Sequence, residues 1–274
     1  MFQLTTNAVQ RRIRALCAAA TLAAAAAAPA AADETASYCA NLPLLDVATG
    51  SSSIASPCSV APRSFLVDSL YYQNASLVGG SALAAYPLTS LRFGIAPRLE
   101  VVLDPPSQIA ASAHDGAALY PTSHSGYGFN YTLGESERLA WSAEAGVVPP
   151  ASFYNTTETQ PKYSLGLVSA YHLTRRVTFK AQLAAATSHS AGFGTVLPTT
   201  ALGADLATDS STRFSLDLGN RAVTRRAAEQ SFGDISVKHL IFRKFAVNVG
   251  LGTAFNSVDN AKAHYLSSGL SFRL

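Results

Sequence analysis

The sequence predicts an all-β fold: a closed antiparallel transmembrane β-barrel of about 12 strands, occupying residues 62–274. Three observations predict it. Apolar and small or polar residues alternate with a period of two over segments of about ten residues, which is the pattern of a half-buried strand. Short and long connections alternate between those segments. The less apolar face is rich in Gly, Ser and Ala and sparsely charged, a poor soluble surface and a suitable crowded lumen.

The chain begins with Arg11, Arg12 and Arg14 ahead of an alanine-dominated apolar run that ends in Ala30-Ala31-Ala32 before Asp33. Basic, apolar and small-residue regions in that order predict a secretory signal peptide over 1–32, removed on export, with Cys17 in the discarded part. The chain has 20 Lys+Arg and 17 Asp+Glu; taking three arginines away with the signal leaves 17 bases against 17 acids. A formally neutral mature chain of 242 residues (274 less 32) gives no electrostatic support for nucleic-acid binding. After residue 33 no run of about 18 apolar residues occurs, so a membrane-spanning helix is not expected.

Residues 33–61 follow as an N-terminal segment, lying in the periplasm or plugging the barrel. Cys39 and Cys58 are its two cysteines, and an oxidising compartment makes them a candidate disulfide. The strands come next. In 126–133 Tyr127, Phe129, Tyr131 and Leu133 alternate with Gly128, Asn130 and Thr132; in 138–148 Leu139, Trp141, Ala143, Ala145 and Val147 alternate with Ser142, Glu144 and Gly146. "VTFKAQLA" sets Val177, Phe179 and Leu183 against Lys180 and Gln182, and "RFSLDLG" sets Phe214, Leu216 and Leu218 against Arg213, Ser215 and Asp217. "FAVNVGLGTAF" (245–255) is the clearest, and its pattern predicts that charge is tolerated at Asn248 and not at Val249. Tight turns are expected at 96–98, 134–137, 174–176, 208–211 and 242–244. Longer loops are expected around 74–84, 106–123, 148–161, 187–196, 221–230 and 255–262. An even strand count with all short turns on one side is the layout of bacterial outer-membrane barrels. A soluble barrel or sandwich shows the same periodicity turned inside out and stays open as an alternative.

The final strand, "YLSSGLSFRL", places Leu266, Leu270, Phe272 and Leu274 on one face and Tyr265, Ser267, Gly269, Ser271 and Arg273 on the other. Closure onto 63–72 would leave no free edge in lipid. Ser267, Gly269, Phe272 and Leu274 resemble the C-terminal signal read by the outer-membrane barrel assembly machinery, with Leu274 where Phe is usual. "LTSLRFGIAPRLEVVLD" (88–104) followed by the glycine-alternating hairpin from 126 resembles the Gram-negative barrels of the meta-pathway of phenol degradation family. That resemblance implies a barrel of about twelve strands and passage of small aromatic or apolar molecules.

On this facing, Arg92, Lys180, Arg213, Lys238 and Arg273 enter the lumen with Asp68, Glu100, Asp104, Glu144, Asp205, Asp217 and Asp234, as do Leu66, Leu70, Leu88 and Val102. Interleaved signs suit either an ion-pair network filling a narrow bore or a lined path with modest charge selection. No catalytic set is legible. "TSHSAGF" (187–193) resembles the His–Ser pair of lipid A deacylases, but Ala191 stands where that motif has Asn. The six histidines are scattered, so neither a metal site nor a cofactor is expected. The expected partners are outer-membrane lipids, the assembly machinery and a small solute. The expected function is a channel or transporter, the alternatives being a structural or surface-interaction barrel, a lipid hydrolase and a soluble ligand-binding barrel.

Overall fold

The computed structural model describes residues 38–39, 42–49, 54–76, 82–113, 116–122, 125–149, 161–190, 193–222, 229–256 and 262–274. The segment 1–32, and with it the expected signal and Cys17, lies outside the described residues. The strands are β1 (Phe65–Ser76), β2 (Ala82–Ala96), β3 (Leu99–Asp104), β4 (Ser107–Ala113), β5 (Gly116–Thr122), β6 (Gly126–Glu135) and β7 (Leu139–Val148), then β8 (Lys162–His172), β9 (Val177–Ser190), β10 (Phe193–Ala207), β11 (Thr212–Ala222), β12 (Glu229–Phe242), β13 (Phe245–Asn256) and β14 (Lys262–Arg273). Twelve of them close a ring, running β1, β2, β3, β6 and then every strand in turn to β14, which pairs back onto β1. The hairpin β4–β5 continues that wall, with β4 pairing to Ala82–Tyr86 of β2. Among the described residues all pairings between strands are antiparallel. Among the described residues no helix is long and apolar enough to cross a membrane.

Closure is made at the last residues. Leu274 and Phe65 exchange backbone hydrogen bonds of 2.8 and 3.2 Å, and the ladder then runs from Leu66↔Arg273 to Ser76↔Ala263. With both neighbours present, β14 has no open edge. Ser267 and Ser271 of β14 are buried inside, while Phe272 and Leu274 face outward.

The tight turns fall where the alternation places them, at 97–98, 136–138, 173–176, 208–211 and 243–244. The longer segments need correction. β1 and β2 run into 74–84 and β9 and β10 into 187–196, so 187–196 is mostly paired strand and only 77–81 separates β1 from β2. The stretch 106–123 holds the β4–β5 hairpin; at 221–230 and 255–262 the strands enter by only one or two residues. Thr, Val and Phe in "TSHSAGFGTVLP" favour a ladder, and partner strands already in register extend it through the Gly and Ser that weaken the local signal.

The outward face is apolar. Leu139, Leu167, Leu183, Leu202, Leu216, Leu218, Ile235, Val249, Leu251 and Leu270 are exposed around it. Phe93, Trp141, Tyr171, Phe179, Phe214 and Phe272 lie outward near the short-turn end, the arrangement of an interfacial aromatic girdle. On neighbouring positions of β13, Val249 is 45% exposed and Asn248 is 3% exposed. Asn248 stands directly opposite Lys238, so a cation there meets a buried like charge and the tolerance expected at that position does not hold. A cleaner contrast lies on β8. Leu167→Arg puts a charge on the outward belt and is expected to cost about 2–4 kcal/mol in a lipid or micelle refolding titration. Ser164→Lys, inward and facing the Glu144 side of the lumen, should cost far less. Equal losses would mean that the belt does not face hydrocarbon.

Candidate lumen site

The lumen is occupied. From its short-turn end the N-terminal segment enters beside the 136–138 turn, where Tyr38 N–H donates to Ser136 O at 3.0 Å and Cys39 N–H to Glu135 Oε2 at 3.0 Å. Tyr38 stacks on His172 with ring centroids 4.2 Å apart, and burial pushes its phenol above the ordinary tyrosine range, so it stays neutral. A single turn of helix, α1 (Leu44–Val47), then packs Leu44, Leu45 and Val47 against Leu66, Val60 and Ala246. Leu66, expected as apolar lumen surface, is therefore a buried contact for this plug. Farther in, Ile54 meets Val168 and Ala201. The backbone returns to the wall at Pro62, which bridges to Gly94.

The wall makes room for the plug at two glycines. A Cβ on Gly94 would overlap the carbonyls of Val60 and Ala61, and one on Gly203 would overlap Asp217 Oδ1 of the wall and come 2.9 Å from Ile54 Cδ1 of the plug. Cys39 and Cys58 are joined by a disulfide that ties the two ends of the plug together. Closing a short loop contributes about 2–4 kcal/mol. The Cys39→Ser, Cys58→Ser variant is therefore expected to fold as a barrel and to lose plug protection in amide hydrogen exchange, with the wall strands unchanged; failure to form the barrel would show that the plug is integral to it.

The charged lumen residues are tied mainly to plug backbone and to one another. Arg92 is spent completely: Nε donates to Glu100 Oε1 at 2.8 Å, Nη1 to Val47 O at 2.6 Å, and Nη2 lies 2.7 Å from Glu100 Oε1 and 3.2 Å from Cys58 O. Glu100 Oε2 also accepts Val60 N–H at 2.6 Å. Lys238 Nζ donates to Ala48 O at 2.7 Å, Arg273 Nη1 to Leu42 O at 3.2 Å, and Arg213 pairs with Asp46. Asp68 accepts the hydroxyls of Thr49 at 3.0 Å and Ser271 at 2.5 Å. Lys180 reaches Asp205 at 2.9 Å and Asp217 at 3.5 Å, and Asp234 accepts Tyr265 O–H at 3.1 Å. Thr132 donates to Pro57 O at 3.0 Å. The sequence-selected residues thus form three groups: Arg92–Glu100 with the plug, Lys180–Asp205–Asp217 on β9 to β11, and single tethers at Lys238, Arg213 and Arg273. Asn130, Thr132 and Tyr265 join them from the same inward faces, without a charge to mark them, together with the plug carbonyls. Carbonyls carry no residue-type signal, so no sequence pattern could have found them.

Lys238→Met removes one tether while keeping the side chain's length. The expected result is faster exchange at Ala48 and its neighbours with barrel assembly intact, read by heat-modifiable migration.

Asp104 and Glu144 take no part in these ion pairs, although they share a hollow with Arg92 and Glu100. With Val102, Gly128, Asn130 and Gly146 they line a cavity of about 270 Å³ whose floor is Thr49, Ala55 and Ser56 of the plug. The side chains of Ser188 and His189 lie outside the described residues, and among the described residues no three His, Cys, Asp or Glu are grouped to hold a metal ion.

No family model and no curated protein matches the chain. Solved structures do match. One is an outer-membrane channel from Pseudomonas putida F1, with a TM-score of 0.58 and 15% identity, covering 79% of this chain and 97% of that one. The fold is shared with outer-membrane channels. A second is the NanC porin, with a TM-score of 0.52 and 8% identity, covering 75% of this chain and all of the porin. At these identities the likeness is one of architecture.

Proposed function

We propose that this chain is an outer-membrane channel or transporter for small solutes, gated by its own N-terminal segment. The observation that carries the reading is a closed ring with an apolar outer belt whose interior is polar, charged and partly hollow. An interior of that kind is wasteful as a core and suitable as a path. In this reading residues 1–32 direct export and are removed, the short turns face the periplasm, and the plug enters from that side. The assembly machinery reads Ser267, Gly269, Phe272 and Leu274, and lipid surrounds the belt. The phenol-pathway resemblance points to small aromatic or hydrophobic molecules as cargo.

A second reading has one observation in its favour. The plug reaches most of the ring, which suits a structural barrel without transport. Reconstitution separates the two. The mature chain is expected to speed entry of small aromatic solutes into liposomes and to give small, intermittent currents in planar bilayers. A chain that does neither, before or after plug removal, is structural.

A further inference from the structure

We infer that the cavity above the plug is a subsite for a small organic cation, one that presents N–H donors to Glu144, Asp104 and the side-chain carbonyl of Asn130. The inference deepens the channel reading, since a subsite on a path presupposes the path, but binding itself can be measured without it.

The argument starts from the ladder. Glu100, Asn130 and Glu144 stand directly opposite one another on β3, β6 and β7, forming one inward row. Glu100 is neutralised by Arg92 and capped by Val60 N–H. Its Oε1 also accepts Asn130 Nδ2–H at 3.2 Å, and Nδ2 points as well to Ser56 O at 3.5 Å. A carboxylate and a carbonyl both demand a donor, which fixes the orientation of the amide. Asn130 Oδ1 is then left over. It is buried without a hydrogen-bond partner, on a residue only 3% exposed, and the residue lines the cavity.

Its neighbours on the cavity wall are acceptors too. Among the described residues Asp104 and Glu144 form no salt bridge, and the local cation, Arg92, has all three nitrogens engaged elsewhere. Asp104 leans over Gly126, where an added Cβ would come 2.9 Å from its Oδ2. Two carboxylates and an orphaned carbonyl around one hollow make a place for a donor-rich, positively charged guest and a hostile one for an anion. A bare metal ion fits less well, because no three acidic or histidine ligands converge there. Gly128 and Gly146 carry no side chain into the space, and Val102 adds an apolar wall. A cavity of about 270 Å³ with one apolar side and an acceptor rim suits an ammonium on a short apolar body.

The test is calorimetric titration of the full mature protein in uncharged maltoside micelles with three probes of similar shape: benzylamine, benzyl alcohol and benzoate. Benzylamine is expected to bind, benzyl alcohol more weakly, and benzoate not at all. Glu144→Gln and Asp104→Asn should each weaken benzylamine by about tenfold or more, as expected for one charge-assisted hydrogen bond. Asn130→Ala should weaken it less. Heat-modifiable migration certifies each variant as folded. Benzoate binding as well as benzylamine on the unmodified protein overturns the inference without any variant. So does an affinity unchanged in whichever of the two carboxylate variants folds. Charge-dependent binding without flux keeps the subsite and sinks the channel; flux without binding does the reverse.

Discussion

Deleting residues 33–61 should raise single-channel conductance by at least about tenfold over the full mature chain. The plug blocks the bore at the level of the charges. Its backbone or side chains touch Arg92, Glu100, Asp68, Thr132, Arg213, Lys238 and Arg273, which come from seven different strands of the ring. Removing it hands those groups back to water. The ring keeps its complete ladder and stays closed, because among the described residues no strand pairing involves residues before Pro62. The conducting variant should also prefer cations. Asp68, Glu100, Asp104, Glu144, Asp205, Asp217 and Asp234 outnumber Arg92, Lys180, Arg213, Lys238 and Arg273 on the inward face. Planar-bilayer recordings with a salt gradient read both quantities. Unchanged conductance would show a bore closed by the wall's own side chains.

The Arg92–Glu100 pair should be the costliest to break. Both side chains are almost fully buried and share one short contact with three further hydrogen bonds to the plug. Glu100→Ala strands the guanidinium and is expected to lower stability by about 3–5 kcal/mol. The double variant Arg92→Met, Glu100→Met leaves no charge behind and should recover much of that loss. It should nonetheless conduct more than the unmodified chain, because Val47, Cys58 and Val60 lose their anchors. Denaturant titration and conductance on the same samples separate the two effects. A double variant as unstable as the single one would mean that the pair matters through its shape.

Much of this molecule is local and was therefore legible. A side chain on a strand points in or out by its position alone, so Phe214, Leu216 and Leu218 against Ser215 and Asp217 declare two faces without knowledge of any partner. The alternation of tight and long connections declares the antiparallel order. Strand ends were less visible, because "TSHSAGFGTV" pairs through β9 and β10 on the strength of ladders already formed rather than its own preference.

What only the tertiary structure decided is the inside of the barrel. Residues 33–61 have no period, and their composition suits a tail as well as a plug. Their placement depends on Arg92, Lys238 and Arg273 finding the carbonyls of Val47, Ala48 and Leu42, atoms that every residue carries. The same holds for the orphaned oxygen of Asn130, which exists because Glu100, 30 residues away in sequence, claims the other end of the amide. Facing follows from a pattern along one strand; what fills the lumen follows from long-range pairing between groups that leave no mark in the order of the residues.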